Sequence, residues 1–191
     1  MRRPDISKGL IHLTSFQTKK SAFDVLCEIL TSAKLLGSGR KGFVKGKTQA
    51  LCFSEAPLSA VPHLIAESER RSTESTNKNK KPPYSHYGLV FNKQKIFDEG
   101  GRPVIYLPDN EADWIPEAEK WRVVRYEPPG CDWTHEREWR LKGREHDLTA
   151  LGGFYVLVKN KNEAKQVEQI ESNAMKKVLG VIPIQNLLKF L

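Results

Sequence analysis

The stretch Asp132-Trp-Thr-His-Glu-Arg-Glu-Trp-Arg-Leu141 holds the residues best suited to chemistry. Its pattern predicts a strand whose side chains alternate between two faces. Thr134, Glu136, Glu138 and Arg140 share one face; Trp133, His135, Arg137, Trp139 and Leu141 share the other. Residues two apart on a strand have Cα atoms about 6.6–6.8 Å apart. Two carboxylates at that spacing suit a reaction with an oxocarbenium-like transition state, one acid stabilising charge while the other tunes the nucleophile. The bond between ribose and nicotinamide in NAD is of this kind. Breaking it needs a carboxylate near the developing positive charge, a grip on the ribose hydroxyls and an aromatic wall for nicotinamide. Glu138 is the candidate for the first, His12 with Thr14 for the second, and Tyr87 or Tyr106 for the third. A competing reading pairs Glu136 and Glu138 with Arg102, Arg137 or Arg140 and assigns them no chemistry.

Other chemistries fit less well. His135 with Glu136 and Glu138 lacks the spacing of a zinc helix, and no second histidine-rich cluster exists, so no metal is expected. Cys52 and Ser54 lack the strand-to-helix elbow of a nucleophile, and Cys27 lies on an apolar stripe as an inert buried thiol would. The three cysteines are isolated and odd in number, which predicts free thiols. No apolar run approaches the roughly 20 residues that cross a bilayer, and Met1-Arg-Arg-Pro-Asp5 lacks a secretion signal's apolar segment. A cytoplasmic protein without a membrane partner is expected. The excess of 31 Lys and Arg over 23 Asp and Glu leaves a charge of +8, which favours polyanions such as nucleic acid. Gly37–Lys47 matches neither a Walker loop nor a dinucleotide fingerprint. Its Arg40, Lys41, Lys45 and Lys47 could nevertheless grip phosphates while Phe43 stacks on a base.

The elements that must position these residues follow from periodicity. Strands are predicted at Gly9–Thr14, Gln49–Ser54, Tyr87–Phe91, Arg102–Leu107, Trp133–Leu141, Gly153–Val158 and Val178–Ile182. Ser21 reads as the N-cap of a helix closed by Gly37, and Pro57 starts a turn or helix running through Ile65. Further helical segments are expected at Lys93–Glu99, Pro116–Arg122, Asn162–Lys177 and from Pro183 onward. A polar insertion at 68–86 is expected to be poorly ordered unless something binds it. Roughly seven strands, mostly without crossover helices between them, predict one α+β domain over 1–191.

Taken in order, His12-Leu-Thr14, a helix ending near a glycine and the Cys52-Phe-Ser54 strand resemble the opening of ADP-ribosyltransferase-like toxins, including the DarT-like DNA-modifying toxins. The resemblance implies a mixed, mainly antiparallel split β-sheet core with flanking helices. It implies that NAD is a substrate, that His12 and Thr14 hold its ribose, and that Ser54 contacts it. Tyr87, or Tyr106 as second choice, would stack on nicotinamide. Glu136-Arg-Glu138 matches the Glu-x-Glu pattern of the arginine-type branch, so Glu138 would be catalytic and Glu136 would assist acceptor attack. Trp139 would turn inward to hold Glu138 in place.

Ala50–Leu58, Tyr87–Phe91, Gly101–Tyr106 and Glu136–Arg140 also resemble bacterial abortive-infection proteins of the AbiGi type, although the long Ser/Lys-rich insertion departs from that pattern. That family is linked to phage defence and to toxin–antitoxin operons. Members of that family have often been labelled antitoxins, whereas the toxin resemblance implies a defence toxin, for which the basic surface favours RNA or DNA as acceptor and an antitoxin protein is a candidate partner. The alternative is a non-catalytic antitoxin or regulator on the same fold; simple NAD hydrolysis is a third reading.

Overall fold

The computed structural model describes residues 6–15, 20–39, 44–74 and 84–187. Eleven short strands and five α-helices are found among them. In chain order they are β1 (Gly9–Leu13), α1 (Ala22–Ser32), β2 (Lys34–Leu36), β3 (Ala50–Ser54), α2 (Val61–Thr73), β4 (Gly88–Asn92), α3 (Lys93–Asp98), β5 (Arg102–Pro103) and β6 (Ile105–Leu107). There follow β7 (Val123–Arg125), β8 (Glu138–Lys142), β9 (Glu145–Asp147), β10 (Phe154–Val158), α4 (Lys161–Glu168), β11 (Val178–Pro183) and α5 (Ile184–Leu187).

The main sheet runs β11-β10-β4-β1-β3-β8-β5. Every neighbouring pair is antiparallel except β10 with β11, which α4 connects as a parallel crossover. Strand alternation divides its residues between two cores. Leu10, Leu51, Phe53, Leu89, Phe91, Leu141, Phe154 and Val156 face the larger core, to which Leu26 and Leu30 of α1 contribute. Ile11 and Leu157 face a smaller core closed by Val61 and Ile65 of α2 and Ile184 of α5. Phe91 anchors the larger core, with its ring centroid 5.8 Å from Phe53 and 5.6 Å from Phe154. β1 and β4 pair over five residues, whereas β1 meets β3 only at Ile11 opposite Ser54. Beyond that pair the ladder stops, and His12 Nδ1 meets the Cys52 carbonyl across the seam at 2.8 Å.

Local chemistry sets the start of α1. The Ser21 hydroxyl accepts from the Asp24 amide, and the Asp24 carboxylate accepts from the Ser21 amide, closing a capping box. Ser21→Ala is expected to cost about 1 kcal/mol, read by urea unfolding; a loss below a few tenths would show that tertiary packing alone sets this helix start.

The helix ends earlier than its sequence suggests. Ala33 is left-handed at φ 56°, and Lys34–Leu36 become β2, paired with β9, instead of a last turn reaching Gly37. Tertiary pairing with Glu145–Asp147 overrides the apolar helical period. The polar insertion also begins later than expected. α2 continues to Thr73, with Arg70 paired to Glu67 and Glu74 on adjacent turns. Ser68 is buried and its hydroxyl accepts from the Tyr84 amide. Ser85 is buried against Thr14, so both ends of the expected 68–86 segment are ordered; residues 75–83 lie outside the described ones.

Candidate functional site

Asp132–Arg137 is a turn rather than the first half of a strand. The Asp132 carboxylate accepts from the Thr134 amide at 2.9 Å and from the Thr134 hydroxyl at 2.6 Å, starting a single 3₁₀ turn over Thr134–Glu136. Such side-chain capture of backbone competes directly with ladder pairing. Ser54 Oγ donates to the Glu136 carbonyl at 2.8 Å, and Arg137 is left-handed at φ 46°. β8 begins only at Glu138, opposite Ser54. The strand spacing expected between Glu136 and Glu138 therefore does not apply: one acid ends a turn and the other opens a strand.

Glu138 is fixed from two sides. Tyr106 Oη accepts from its amide at 3.2 Å and donates to the Trp133 carbonyl at 3.2 Å. Its carboxylate accepts from Arg140 Nε at 2.7 Å and from Nη2 at 3.3 Å. Arg140 is only 2% exposed, and its Nη1 donates to the carbonyls of Trp121 at 2.7 Å and Val123 at 3.3 Å. The arginine thus ties the β6–β7 layer to the main sheet at the point where Glu138 sits.

The Glu136 carboxylate makes no hydrogen bond or ion pair among the described residues. Burial, then the negative charge of Glu138, pushes its carboxyl up to about 7, against the opposing pull of Arg140. The folded state therefore keeps a proton that the unfolded chain releases from about pH 4.5 upward. Its contribution to stability falls as pH rises through that window and is lowest above pH 7. Glu136→Gln is expected to flatten this slope and to raise stability at pH 8 by on the order of 2 kcal/mol. Urea unfolding at pH 5 and pH 8 checks it; an unchanged slope would remove the raised acid. Cys52, opposite Arg140, has its thiol pushed up to about 12, first by burial and then by Glu138. It is a protonated neighbour rather than a nucleophile.

The other expected residues divide between the two faces of the sheet. Ile11, Ser54 and Glu138 occupy one row across β1, β3 and β8, so their side chains share a face. His12 falls on the opposite face, beside Phe53 at 6.1 Å between centroids. Its Nδ1 lies 2.8 Å from the Cys52 carbonyl, which can only accept, so this nitrogen carries the proton. Burial lowers the His12 pKa and keeps the ring neutral. Thr14 is buried, donating to the carbonyls of Ala22 and Tyr87 at 3.1 Å each. Tyr87 donates to Glu163 at 3.0 Å and lies 5.4 Å from the Phe23 ring; burial, then that hydrogen bond, raises its pKa.

His12, Thr14 and Tyr87 thus form one group and Glu136, Glu138, Ser54 and Tyr106 another, with β3 between the strands of His12 and Glu138. No single cleft assembled from all of them is formed by these contacts. Tyr106, the second choice from sequence, is the tyrosine that touches the Glu138 segment. The hydroxyl of Thr14 is committed to backbone, and that of Ser54 to the Glu136 carbonyl.

Lys45 is ion-paired with Asp109, and the Lys47 amide donates to Glu117 at 2.8 Å. Arg40 and Lys41 lie outside the described residues. Trp139 does turn inward, packing against the larger core, but its indole Nε1 donates to Glu55 at 2.7 Å. Glu55 in turn pairs with Lys93 at 2.7 Å, so Trp139 braces Glu55 rather than Glu138. Glu55 directly follows the β3 pattern, but nothing in the sequence links it to Lys93. Among the described residues no group of acids, histidines and cysteines is arranged to hold a metal ion, and no helix is long and apolar enough to cross a membrane.

The fold and site define a mixed α+β protein with a mainly antiparallel open sheet and an acid pair beside a buried arginine. Comparison with known protein families, characterised proteins and solved structures returned no match.

Proposed function

We propose that this chain is an NAD-dependent ADP-ribosyltransferase whose acceptor is a nucleic acid and which serves as a defence toxin. One observation carries the reading: an ion-paired carboxylate, Glu138, has beside it a second, Glu136, whose carboxyl is pushed up to about 7 by burial and by the charge of Glu138. Such a pair can divide the work of glycosyl transfer. Glu138 would face the oxocarbenium-like ribose as the C1′–N bond breaks and nicotinamide leaves with the electron pair. Glu136 would take the proton released by the acceptor as its bond to C1′ forms. Tyr106, bonded to the Glu138 amide, is the nearer candidate for the nicotinamide wall. The mixed, mainly antiparallel sheet is in keeping with the resemblance, although its seven strands form one hydrogen-bonded sheet rather than a split one. His12 and Thr14 enter this reading only through the resemblance, and the nucleic-acid acceptor rests on the charge of +8.

Incubation with labelled NAD and, in parallel, RNA, DNA and cell protein tests it. Label on nucleic acid supports the proposal, label on protein alone moves the acceptor, and nicotinamide release without a labelled acceptor makes the activity NAD hydrolysis. No label and no release ends the enzyme reading.

A second reading is favoured by a specific contact. Both oxygens of Glu138 are already satisfied by Arg140, as in a non-catalytic antitoxin or regulator that uses the fold to bind a partner. Expression alone in bacteria separates the two, because a toxin arrests growth and an antitoxin is tolerated.

A further inference from the structure

We propose that Arg140 is a positioning residue that clamps the Glu138 carboxylate from inside the fold and so leaves Glu136, outside the clamp, as the acid–base member of the pair. Glu138 and Arg140 lie two apart on β8 and share a face, as their partners Ser54 and Cys52 do on β3. Three guanidinium nitrogens are engaged, two on the Glu138 carboxylate and one on the Trp121 and Val123 carbonyls. A side chain so buried and so anchored cannot swing toward Glu136 without leaving two carbonyls and one carboxylate unpaired in the interior. The carbonyls place the guanidinium, the guanidinium orients the plane of the carboxylate, and Tyr106 fixes the backbone beneath it.

Glu136 stands outside this clamp. Its turn is held through its own carbonyl by Ser54 and through the Trp133 carbonyl by Tyr106, while its carboxylate has no hydrogen-bond or ion-pair partner among the described residues. The ionisable groups around the pair are Glu138 and Arg140 on β8, Cys52 on β3, Tyr106 on β6, and Asp132, His135 and Arg137 in the turn. Cys52 and Tyr106 both have raised pKa values, chiefly through burial, and stay neutral. The fixed charges that act on Glu136 are one anion that opposes its ionisation, Glu138, and one cation that promotes it, Arg140.

The use of this proton in transfer rests on the ADP-ribosyltransferase reading, whereas the clamp does not. The experiment follows the carboxyl carbon of Glu136 by NMR against pH in protein labelled at glutamate, with Glu136→Gln to assign the signal. The native midpoint is expected near 7. Glu138→Gln, which removes the neighbouring anion, is expected to lower it by about 1 unit, and Arg140→Gln to raise it by about 1 unit. Arg140→Lys, keeping the charge, is expected to bring the midpoint partly back. A midpoint in the ordinary carboxylate range, or one that Glu138→Gln leaves unmoved, overturns the proposal. If Arg140→Gln does not fold, Glu138→Gln alone decides. Midpoints that move as expected in a protein without label transfer keep the clamp and sink the enzyme reading instead.

Discussion

Glu138→Gln is expected to reduce NAD-dependent label transfer by about 10²–10⁴-fold, the range for loss of a positioned acid–base or charge-stabilising group. The amide keeps the size of the side chain and an oxygen that can still accept from Arg140, but it cannot offer a negative charge to an oxocarbenium-like ribose. Circular dichroism and a urea midpoint on the same sample establish that the fold survives. The measurement is the initial rate of label incorporation at saturating NAD, with Glu136→Gln alongside. On the division of labour argued above, Glu136→Gln loses rate most strongly above pH 7, where the native side chain is ionised and can take a proton. Equal transfer by the native protein and Glu138→Gln removes Glu138 from the chemistry. Growth arrest that persists in Glu138→Gln does the same in cells.

Arg140→Leu is expected to destabilise the protein by about 3–5 kcal/mol, the cost of leaving a buried charge and its hydrogen-bond partners uncompensated. Three groups lose a donor at once: the Glu138 carboxylate and the carbonyls of Trp121 and Val123. For a chain of this length that corresponds to a fall of roughly 6–20 °C in Tm. The paired change Glu138→Leu with Arg140→Leu is expected to cost less than the sum of the two single changes, because no charge is then stranded. The Trp121 and Val123 carbonyls would still lose their donor, so the double variant is not expected to recover native stability. Urea unfolding of all four proteins closes the cycle. A loss below about 1 kcal/mol for Arg140→Leu would show that water reaches the guanidinium site and satisfies those carbonyls.

Both effects depend on a contact that the sequence raised only as one of several options. Arg102, Arg137 and Arg140 are all open as partners for the acids in the sequence. The fold selects Arg140: its strand neighbour Cys52 faces the same core as Trp121, and the β6–β7 layer offers two carbonyls there. Arg102 turns elsewhere, donating to the Phe97 and Gly101 carbonyls and lying 4.2 Å over the Phe97 ring.

Local signals were legible wherever neighbours in sequence act on each other. The Ser21 cap, the short helix from Lys93 and the alternation of β1, β3, β4 and β10 all belong to this kind. Each rests on a hydrogen bond or a periodicity spanning only a few residues. The acids were legible as candidates for the same reason, since a carboxylate two residues from another is visible in any reading of the chain.

Only the tertiary structure decided what those acids do to each other. The turn that separates Glu136 from Glu138 is closed by Ser54, 82 residues away, and the tryptophan beside Glu138 is claimed by Glu55 across 84 residues. The division of His12 from Glu138 comes from a single pairing, Ile11 opposite Ser54, which sets the parity of the two strands. A register shift of one residue would have put His12 on the acid face. The chain by itself thus determined an α+β protein of alternating strands with a cationic surplus and two acids close in sequence. Strand register, a property of pairs and not of segments, decided that one acid is bound to a buried arginine, while burial in the preceding turn pushes the carboxyl of the other up to about 7.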